Sequence, residues 1–268
     1  TISMSQDQTN KVITNEENPI SQHQNIISQY AEVDEINLLN IPSPHMTISN
    51  VVRLRDEIIT YSKENIYDGF VITHGTDTLE ETAFLIDLLI DIQEPIVITG
   101  AMRSSNEIGS DGLYNFISAI RVATSSEANH KGVMVVFNDE IHTARNVTKT
   151  HTSNINTFQS PNQGPLGVLT KNRVQFYHHP YRQTTYQYID VNLRVPLVKA
   201  YMGMEDDVLS FYSQQHVDGI VIEALGQGNL PKSCLNGLQQ CLKKNIPLVL
   251  VSRSFNGIVS PVYAYEGG

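Results

Sequence analysis

The sequence predicts an α/β fold of two domains: a larger three-layer α/β/α domain with a mainly parallel sheet, and a smaller C-terminal α/β domain. Short apolar runs alternate with longer segments of helical spacing in residues 48–137 and again in residues 195–252. Strands joined through helices run parallel, because a right-handed crossover connects them. We therefore predict an N-terminal domain at residues 1–185, a linker at residues 186–194 and the smaller domain at residues 195–268.

Composition limits the functions that the chain can have. Its 268 residues, of which 40% are apolar, can bury a core without disulfides or metals. Its 18 basic and 28 acidic residues give a net charge of −10, which argues against nucleic acid as a partner. No apolar run approaches the roughly 18 residues that a membrane helix needs. These features predict a soluble globular protein that does not insert into a membrane.

The elements of the larger domain follow from local patterns. The first forty or so residues are polar and predict a surface loop followed by a short element. Apolar residues then recur at helical intervals, and three near-continuous apolar runs are typical of strands buried on both faces. The predicted helices are residues 48–61, 78–90 and 111–123, and the predicted strands are residues 70–73, 96–99 and 133–137. The polar segment at residues 138–188 predicts hairpins and irregular structure.

The smaller domain repeats the alternation. Its predicted strands are residues 195–201, 219–224 and 247–252, and its predicted helices are residues 207–214 and 234–243. The two cysteines, Cys234 and Cys241, lie seven residues apart in a predicted helix, a separation of about 10.5 Å that no disulfide spans. We predict two buried thiols, which favour a cytoplasmic location.

Polar segments follow three predicted strands at their carboxyl ends. They are HGTDT at residues 74–78, GAMRSS at residues 100–105, and residues 138–150. In open parallel sheets ligands bind outside the carboxyl ends of the strands, so these segments are expected to line one crevice.

A threonine beside an aspartate, together with one lysine, could perform proton transfer in that crevice. Thr76 and Asp77 lie in the first segment, and Lys149 lies in the threonine-rich third one. A threonine hydroxyl needs a base to become a good nucleophile, and a buried lysine held by a carboxylate can be that base. The alternatives are that the threonines and Asp77 only cap a helix, and that Lys149 is a solvated lysine on a hairpin.

Other candidate motifs carry little information. The nine histidines include His142 and His151 on either side of the lysine, but none has the spacing of a known metal site, and we favour no metal. The glycine-rich segment at residues 226–229 lacks the spacing of a nucleotide-binding loop.

Three separated segments carry a resemblance to a known family. They read GFVITHGTDTLEETAF, PIVITGAMRSSNEIGSDG and FNDEIHTARNVTKTHT. Together they resemble the bacterial L-asparaginases, which hydrolyse the side-chain amide of asparagine and sometimes of glutamine, and the match is colinear across nearly the whole chain. The resemblance implies a catalytic N-terminal domain, a small-molecule substrate, no metal or organic cofactor, and a homotetramer built as a dimer of dimers.

The resemblance also implies catalytic roles for particular residues. Thr1 corresponds to the nucleophilic threonine, and Thr76 to the second threonine of the site. Asp77 corresponds to the aspartate that grips the substrate, and Lys149 to the base-like lysine. The implied mechanism is acyl transfer, in which the threonine forms an acyl-enzyme that water then hydrolyses.

Substrate contacts are implied in the same way. Ser43 resembles the serine that holds the substrate α-carboxylate, although Pro44 replaces its usual glutamine neighbour. Ala101 matches the position whose backbone carbonyl faces the leaving amide. A partner subunit would contribute from near Gly228–Asn229 or Glu266.

Other functions remain open from the sequence. Glutamine or a tRNA-linked amide could be the substrate of the same fold. The family's first strand and its closing strand and helix have no counterpart here, so we expect a fragment or incomplete gene product, which could be a non-catalytic remnant. An N-terminal threonine is also found in self-processed hydrolases whose α-amine is the base.

Overall fold

In a computed structural model of the chain, the structure describes residues 2–9, 11–15, 22–181, 184–265 and 267. The chain divides into two compact units, Thr1–Ile189 and Asp190–Gly268. Each unit has its own core of buried apolar side chains. The predicted α/β fold class is confirmed.

The first unit contains both helices and strands. Its strands are β1 (Met4–Gln6), β2 (Val12–Thr14), β3 (Phe70–Thr73), β4 (Ile96–Thr99), β5 (Val133–Phe137), β6 (Glu140–Thr143), β7 (Thr148–Lys149), β8 (Phe158–Gln159), β9 (Gly167–Leu169) and β10 (Val174–Phe176). Its helices are α1 (Gln24–Ile27), α2 (Ile48–Ser62), α3 (Leu79–Leu89) and α4 (Gly112–Ala123), with 3-10 turns at Ser43–His45 and Ser126–Ala128. The sequence does not predict β1 and β2, because three-residue strands are too short to show a period.

The main sheet of this unit is mixed. Among the described residues its strand order is β10-β9-β6-β5-β4-β3. Strands β3, β4 and β5 are parallel, whereas β6, β9 and β10 join antiparallel. The direction reverses after β5 because Asn138 and Asp139 form a two-residue turn with φ of 47° and 66°, the turn that favours a hairpin.

Helices cover both faces of the parallel strands. Ile96 and Ile98 of β4 belong to the same buried cluster as Ile86 of α3. Val97, which points to the opposite face, belongs to the cluster that contains Ala119 of α4. Alternate residues of one strand thus enter two cores, which explains why the strand is apolar throughout.

The second unit is smaller and its sheet is parallel. It contains β11 (Leu197–Lys199), α5 (Asp207–Gln214), β12 (Ile220–Ala224), α6 (Leu235–Lys243) and β13 (Leu248–Ser252), with a 3-10 turn at Lys232–Cys234. The strand order is β11-β12-β13. Cys234 and Cys241 are buried free thiols, as predicted. Within the described ranges, no helix combines the length and apolar character that crossing a membrane requires.

Candidate active site

The HGTDT segment forms the loop that joins β3 to α3. The backbone N–H of His74 donates to the carbonyl of Thr99, at 2.8 Å, and so extends the pairing of β3 with β4 by one residue. Thr76 is buried, whereas the side chain of Asp77 is 60% exposed. The loop therefore lies at the carboxyl edge of the parallel strands, where ligands bind in such sheets.

A half-buried histidine, His74, holds the start of this loop. Nδ1 of His74 lies 2.6 Å from the carbonyl oxygen of Gly75, and Nε2 lies 2.9 Å from Oγ1 of Thr82. A carbonyl only accepts, so Nδ1 carries the proton and Nε2 accepts from the hydroxyl. Burial lowers the pKa of His74, which favours this neutral form.

Ser43 packs directly against the loop. The backbone N–H of Asp77 donates to Oγ of Ser43 at 3.2 Å, and the hydroxyl of Thr78 donates to the carbonyl of Ser43 at 2.7 Å. Thr78 is the N-cap residue of α3 but makes no side-chain capping bond. Its hydroxyl therefore joins two segments of the site, which argues against the view that this threonine only caps a helix.

Lys149 reaches the loop from the short hairpin formed by β7 and β8. Its Nζ lies 3.0 Å from Oγ1 of Thr76 and 2.7 Å from Oδ1 of Asp77. The lysine side chain is only 17% exposed. The structure thus brings together three groups that are up to 73 residues apart in the chain, and this lysine is not the solvated hairpin lysine of the alternative interpretation.

The predicted substrate-contact residue Ala101 lies in the loop after β4. It is fully buried and packs in a cluster with Ile2 and Phe116. The predicted nucleophile Thr1 lies outside the described residues, as does Glu266. The neighbour Asn229 is described, and its Oδ1 accepts from the Tyr265 hydroxyl at 3.1 Å.

Two polar residues that sequence reasoning missed hold the loop after β4. The carboxylate of Asp111 accepts from the backbone N–H groups of Met102 and Arg103 at 3.0 to 3.1 Å. The side-chain amide of Asn115 donates to the carbonyl of Gly100 at 3.0 Å. The signal in the sequence was an acidic residue at the start of the predicted helix at residues 111–123, which ordinarily indicates a cap. Asp111 makes no capping bond and supports this loop instead.

A third missed residue is Glu80 in the first turn of α3. From the sequence its charge favours the positive end of the helix. In the structure its carboxylate accepts from the backbone N–H of Lys149 at 2.5 Å and from the hydroxyl of Thr148 at 3.3 Å.

A cavity of about 900 Å³ lies beside β3 and reaches this loop. Its lining includes Ser43, His74 and Gly75 on one side and Val71 and Phe116 on another. Of the residues that the resemblance assigns to substrate binding, Ser43 lines this cavity, whereas Thr76, Asp77 and Ala101 do not.

The structure shows no metal site in the part of the chain that it describes, where no three His, Cys, Asp or Glu residues are grouped to hold an ion. His142 instead lies in the interior, with Nδ1 3.0 Å from Oγ of Ser160 and Nε2 3.3 Å from the carboxylate of Glu140. Burial lowers the pKa of His142 to about 4 and raises the pKa of Glu140. These directions favour a neutral histidine beside an acid that retains its proton to higher pH than usual.

The buried histidine predicts a loss of stability in acid. The unfolded chain binds the His142 proton below about pH 6.5, whereas the folded chain binds it only near pH 4. The contribution of His142 to the free energy of unfolding should therefore fall by about 3 kcal/mol as the pH decreases between these values, whereas the raised pKa of Glu140 acts in the opposite direction. The free energy of unfolding, measured by urea denaturation at several pH values in this range, should depend less on pH in His142→Asn than in the wild type. The exposed residue His216, replaced by asparagine, is the control, and a wild-type slope in His142→Asn would contradict the prediction.

The chain is similar to known proteins along both units. Residues 1–182 match the family model "Asparaginase, N-terminal", and residues 194–268 match "Glutaminase/Asparaginase C-terminal domain". An L-asparaginase of Bacillus licheniformis is 32% identical over 236 residues, which cover 88% of this chain and 73% of that protein. A probable L-asparaginase of Deinococcus radiodurans is 36% identical over 241 residues, with the same coverages.

A solved structure shares the fold. The crystal structure of a probable cytoplasmic L-asparaginase from Campylobacter jejuni superposes with a TM-score of 0.82 at 34% identity, covering 87% of this chain and 76% of that one. Two family models that together span both units, and relatives above 30% identity over most of their length, identify the family. The chain belongs to the asparaginase family.

Proposed function

We propose that this protein hydrolyses the side-chain amide of L-asparagine to L-aspartate and ammonia through a threonine nucleophile. The observation that carries the proposal is the contact of Lys149 Nζ with both Thr76 Oγ1 and Asp77 Oδ1. An amine that contacts both a hydroxyl and a carboxylate can exchange a proton with a nucleophile and a leaving group. The names of the relatives, which are L-asparaginases, support the same reaction.

The proposed chemistry has two steps. The hydroxyl oxygen of Thr1 attacks the amide carbon, and backbone N–H groups of the loop around Thr76 stabilise the oxyanion that forms. The C–N bond then breaks, the nitrogen takes up a proton, and ammonia leaves an acyl-enzyme. In the second step a water molecule attacks the same carbon, aspartate is released and Thr1 regains its proton.

The three contacting side chains handle the protons of both steps. Lys149 and Thr76 form the route by which a proton leaves the attacking hydroxyl and reaches the leaving nitrogen. Asp77 fixes the position of the lysine amine by accepting a hydrogen bond from it at 2.7 Å. The limited exposure of the lysine side chain keeps water from competing for these hydrogen bonds.

Asp77 and Ser43 are proposed to bind the zwitterionic end of the substrate. The carboxylate of Asp77 is accessible and suits the α-ammonium group, and Ser43 Oγ can donate its hydrogen to the α-carboxylate. A small zwitterion needs one acid and a few donors, so the net charge of −10 is compatible with this ligand. We propose that the carbonyl of Ala101 faces the leaving amide.

Replacement of Gly75 by alanine should weaken substrate binding. The added Cβ would lie 2.7 Å from Oγ and 2.8 Å from Cβ of Ser43, so the serine or the loop must shift. We expect KM for asparagine to rise by about tenfold, equivalent to about 1.4 kcal/mol of lost binding energy. Gly219→Ala is a matched control, because its Cβ meets no atom closer than 3.4 Å. An unchanged KM in Gly75→Ala would exclude this close approach from substrate binding.

Ammonia release tests the function itself. The purified chain is incubated with L-asparagine or with L-glutamine at equal concentrations, and ammonia is measured enzymatically. The proposal expects asparagine to be the better substrate by kcat/KM. Preference for glutamine would favour glutamine hydrolysis as the function. The name of the C-terminal family model also contains glutaminase. Release from neither amide would favour a non-catalytic protein.

We also propose a homotetramer of cytoplasmic location that needs no cofactor. The family resemblance supports the assembly, and the Campylobacter jejuni structure is described as cytoplasmic, although a relative from Haemophilus influenzae is described as periplasmic. Light scattering should give a mass about four times the 30.0 kDa of the chain.

A further inference from the structure

Glu80 forms a direct link between the two elements that carry the candidate catalytic groups. It lies in the first turn of α3, directly after the loop that holds Thr76 and Asp77. One carboxylate oxygen accepts the backbone N–H of Lys149 and the other accepts the hydroxyl of Thr148. A single half-buried side chain thus connects helix α3 to the strand that supplies the lysine.

The hairpin of strand β7 is held by apolar packing and by few polar contacts outside itself. Val147 and Phe158 lie in the buried cluster that contains Ile86 of α3, which places the hairpin without fixing the backbone N–H of Lys149. Strand β7 is two residues long and pairs only with β8 within the described residues, where Lys149 lies opposite Phe158. A further bond, from the N–H of Thr150 to the carbonyl of Thr157, also stays inside this hairpin. The hairpin therefore holds its own shape. Its hydrogen bonds to α3 are made by Glu80, and its hydrogen bonds to the loop before α3 are made by the lysine amine itself.

The chemistry of a carboxylate suits this double contact. Its two oxygens accept from an N–H and an O–H at once, and a charged acceptor makes stronger hydrogen bonds than an amide. A glutamine of the same shape has one accepting oxygen, and its NH₂ group would face one of the two donors. The acid also lies at the helix end where a negative charge is favourable.

The position of the Lys149 backbone matters for the reaction because the lysine side chain is flexible. Its amine must remain 3.0 Å from Thr76 and 2.7 Å from Asp77, and a shift of about 1 Å in such a group can reduce a rate by about 100-fold. We infer that Glu80 is a positioning residue that fixes the backbone of Lys149 to α3 and so keeps the amine in contact with Thr76 and Asp77. The inference rests on the proposed function and names a residue on which that reaction depends.

Glu80→Gln is the principal variant, and Glu81→Gln is its control. Glu81 is the adjacent acid of the same helical turn, but the residue is exposed, and the N–H of Lys149 and the hydroxyl of Thr148 donate to Glu80 instead. We expect Glu80→Gln to lower kcat by about 10- to 100-fold with KM within about twofold, because the residue holds the lysine and not the substrate. Thr148→Val removes only the weaker of the two bonds, and its kcat should fall less, in the same direction.

A double variant separates positioning from general damage to the fold. If Glu80 acts through the lysine, Glu80→Gln should cost no more than about twofold in a Lys149→Met background. An equal fold-loss in both backgrounds would overturn the inference, and so would a wild-type kcat in Glu80→Gln. An equal loss in Glu81→Gln would overturn it as well.

Hydrogen exchange tests the same contact without using activity. Glu80→Gln should accelerate deuterium uptake at the backbone amide of Lys149 relative to both the wild type and Glu81→Gln. An inactive wild-type protein with this accelerated exchange would refute the proposed function but retain the contact. An active wild-type protein with unchanged exchange and unchanged kcat in Glu80→Gln would refute the positioning role alone.

Discussion

Lys149→Met should lower kcat for asparagine by about 10²- to 10⁴-fold, the range typical of a lost general acid or base. Methionine has a similar length and no proton to transfer, so it removes the contacts of 3.0 and 2.7 Å to Thr76 and Asp77 with little change in volume. The strand should persist, because its backbone bonds to Glu80 and β8 do not need the amine. Steady-state ammonia release gives kcat, and thermal unfolding reports whether the fold is intact.

Lys171→Met is the matched control for this variant. Lys171 is an exposed lysine in the turn between β9 and β10 of the same unit, and its loss should leave kcat within twofold of the wild type. A kcat in Lys149→Met equal to that of the wild type would remove the lysine from the mechanism.

Thr76→Val should also lower kcat by about 10²- to 10⁴-fold, because the substitution exchanges the hydroxyl that contacts the lysine amine for a methyl group and changes nothing else. Valine keeps the methyl group that lies near Gly100, so the packing of the loop should be retained. Thr76→Ala should show the same loss. Thr76→Ser retains a hydroxyl and should stay within about tenfold of the wild type. Single-turnover ammonia release separates the chemical step from substrate binding.

Thr60→Ala provides the comparison for a threonine outside the site. The hydroxyl of Thr60 donates to the carbonyl of Asp56 on the exposed side of α2, so its removal should leave kcat unchanged. If Thr76→Val keeps full activity, proton transfer does not pass through this hydroxyl. If Thr76→Ser is as slow as Thr76→Val, the loss reflects packing of the loop.

Activity lost in both the lysine and the threonine variants would identify one functional unit. The combined variant should then be little slower than either single one, because groups that act on the same proton are not additive. Independent losses that multiply would instead indicate two separate roles.

Local patterns in the sequence specified the parallel core well. The predicted strands at residues 70–73, 96–99 and 133–137 are those of the structure, because strands covered on both faces form near-continuous apolar runs. Strands β4 and β5 are buried along their whole length, and β3, at the edge of the sheet, is half-buried. The carboxyl ends of these strands meet at one edge of the sheet, which predicted that the polar segments after them line one crevice. The family resemblance, and not the spacing alone, assigned Thr76 and Lys149 to the same site, and the two side chains are in contact at 3.0 Å.

Contacts between distant segments had no such local pattern. The antiparallel strands β6, β9 and β10 join the sheet through pairing that depends on the turn at Asn138 and on partners far along the chain. Glu80 and Asp111 have the pattern of residues at helix starts, yet their carboxylates bond β7 and the loop after β4. A carboxylate satisfies whichever donors the fold places beside it, and the sequence does not encode those donors within a few residues. The chemistry of the site therefore follows from its motifs, while its supporting hydrogen bonds follow from three-dimensional packing.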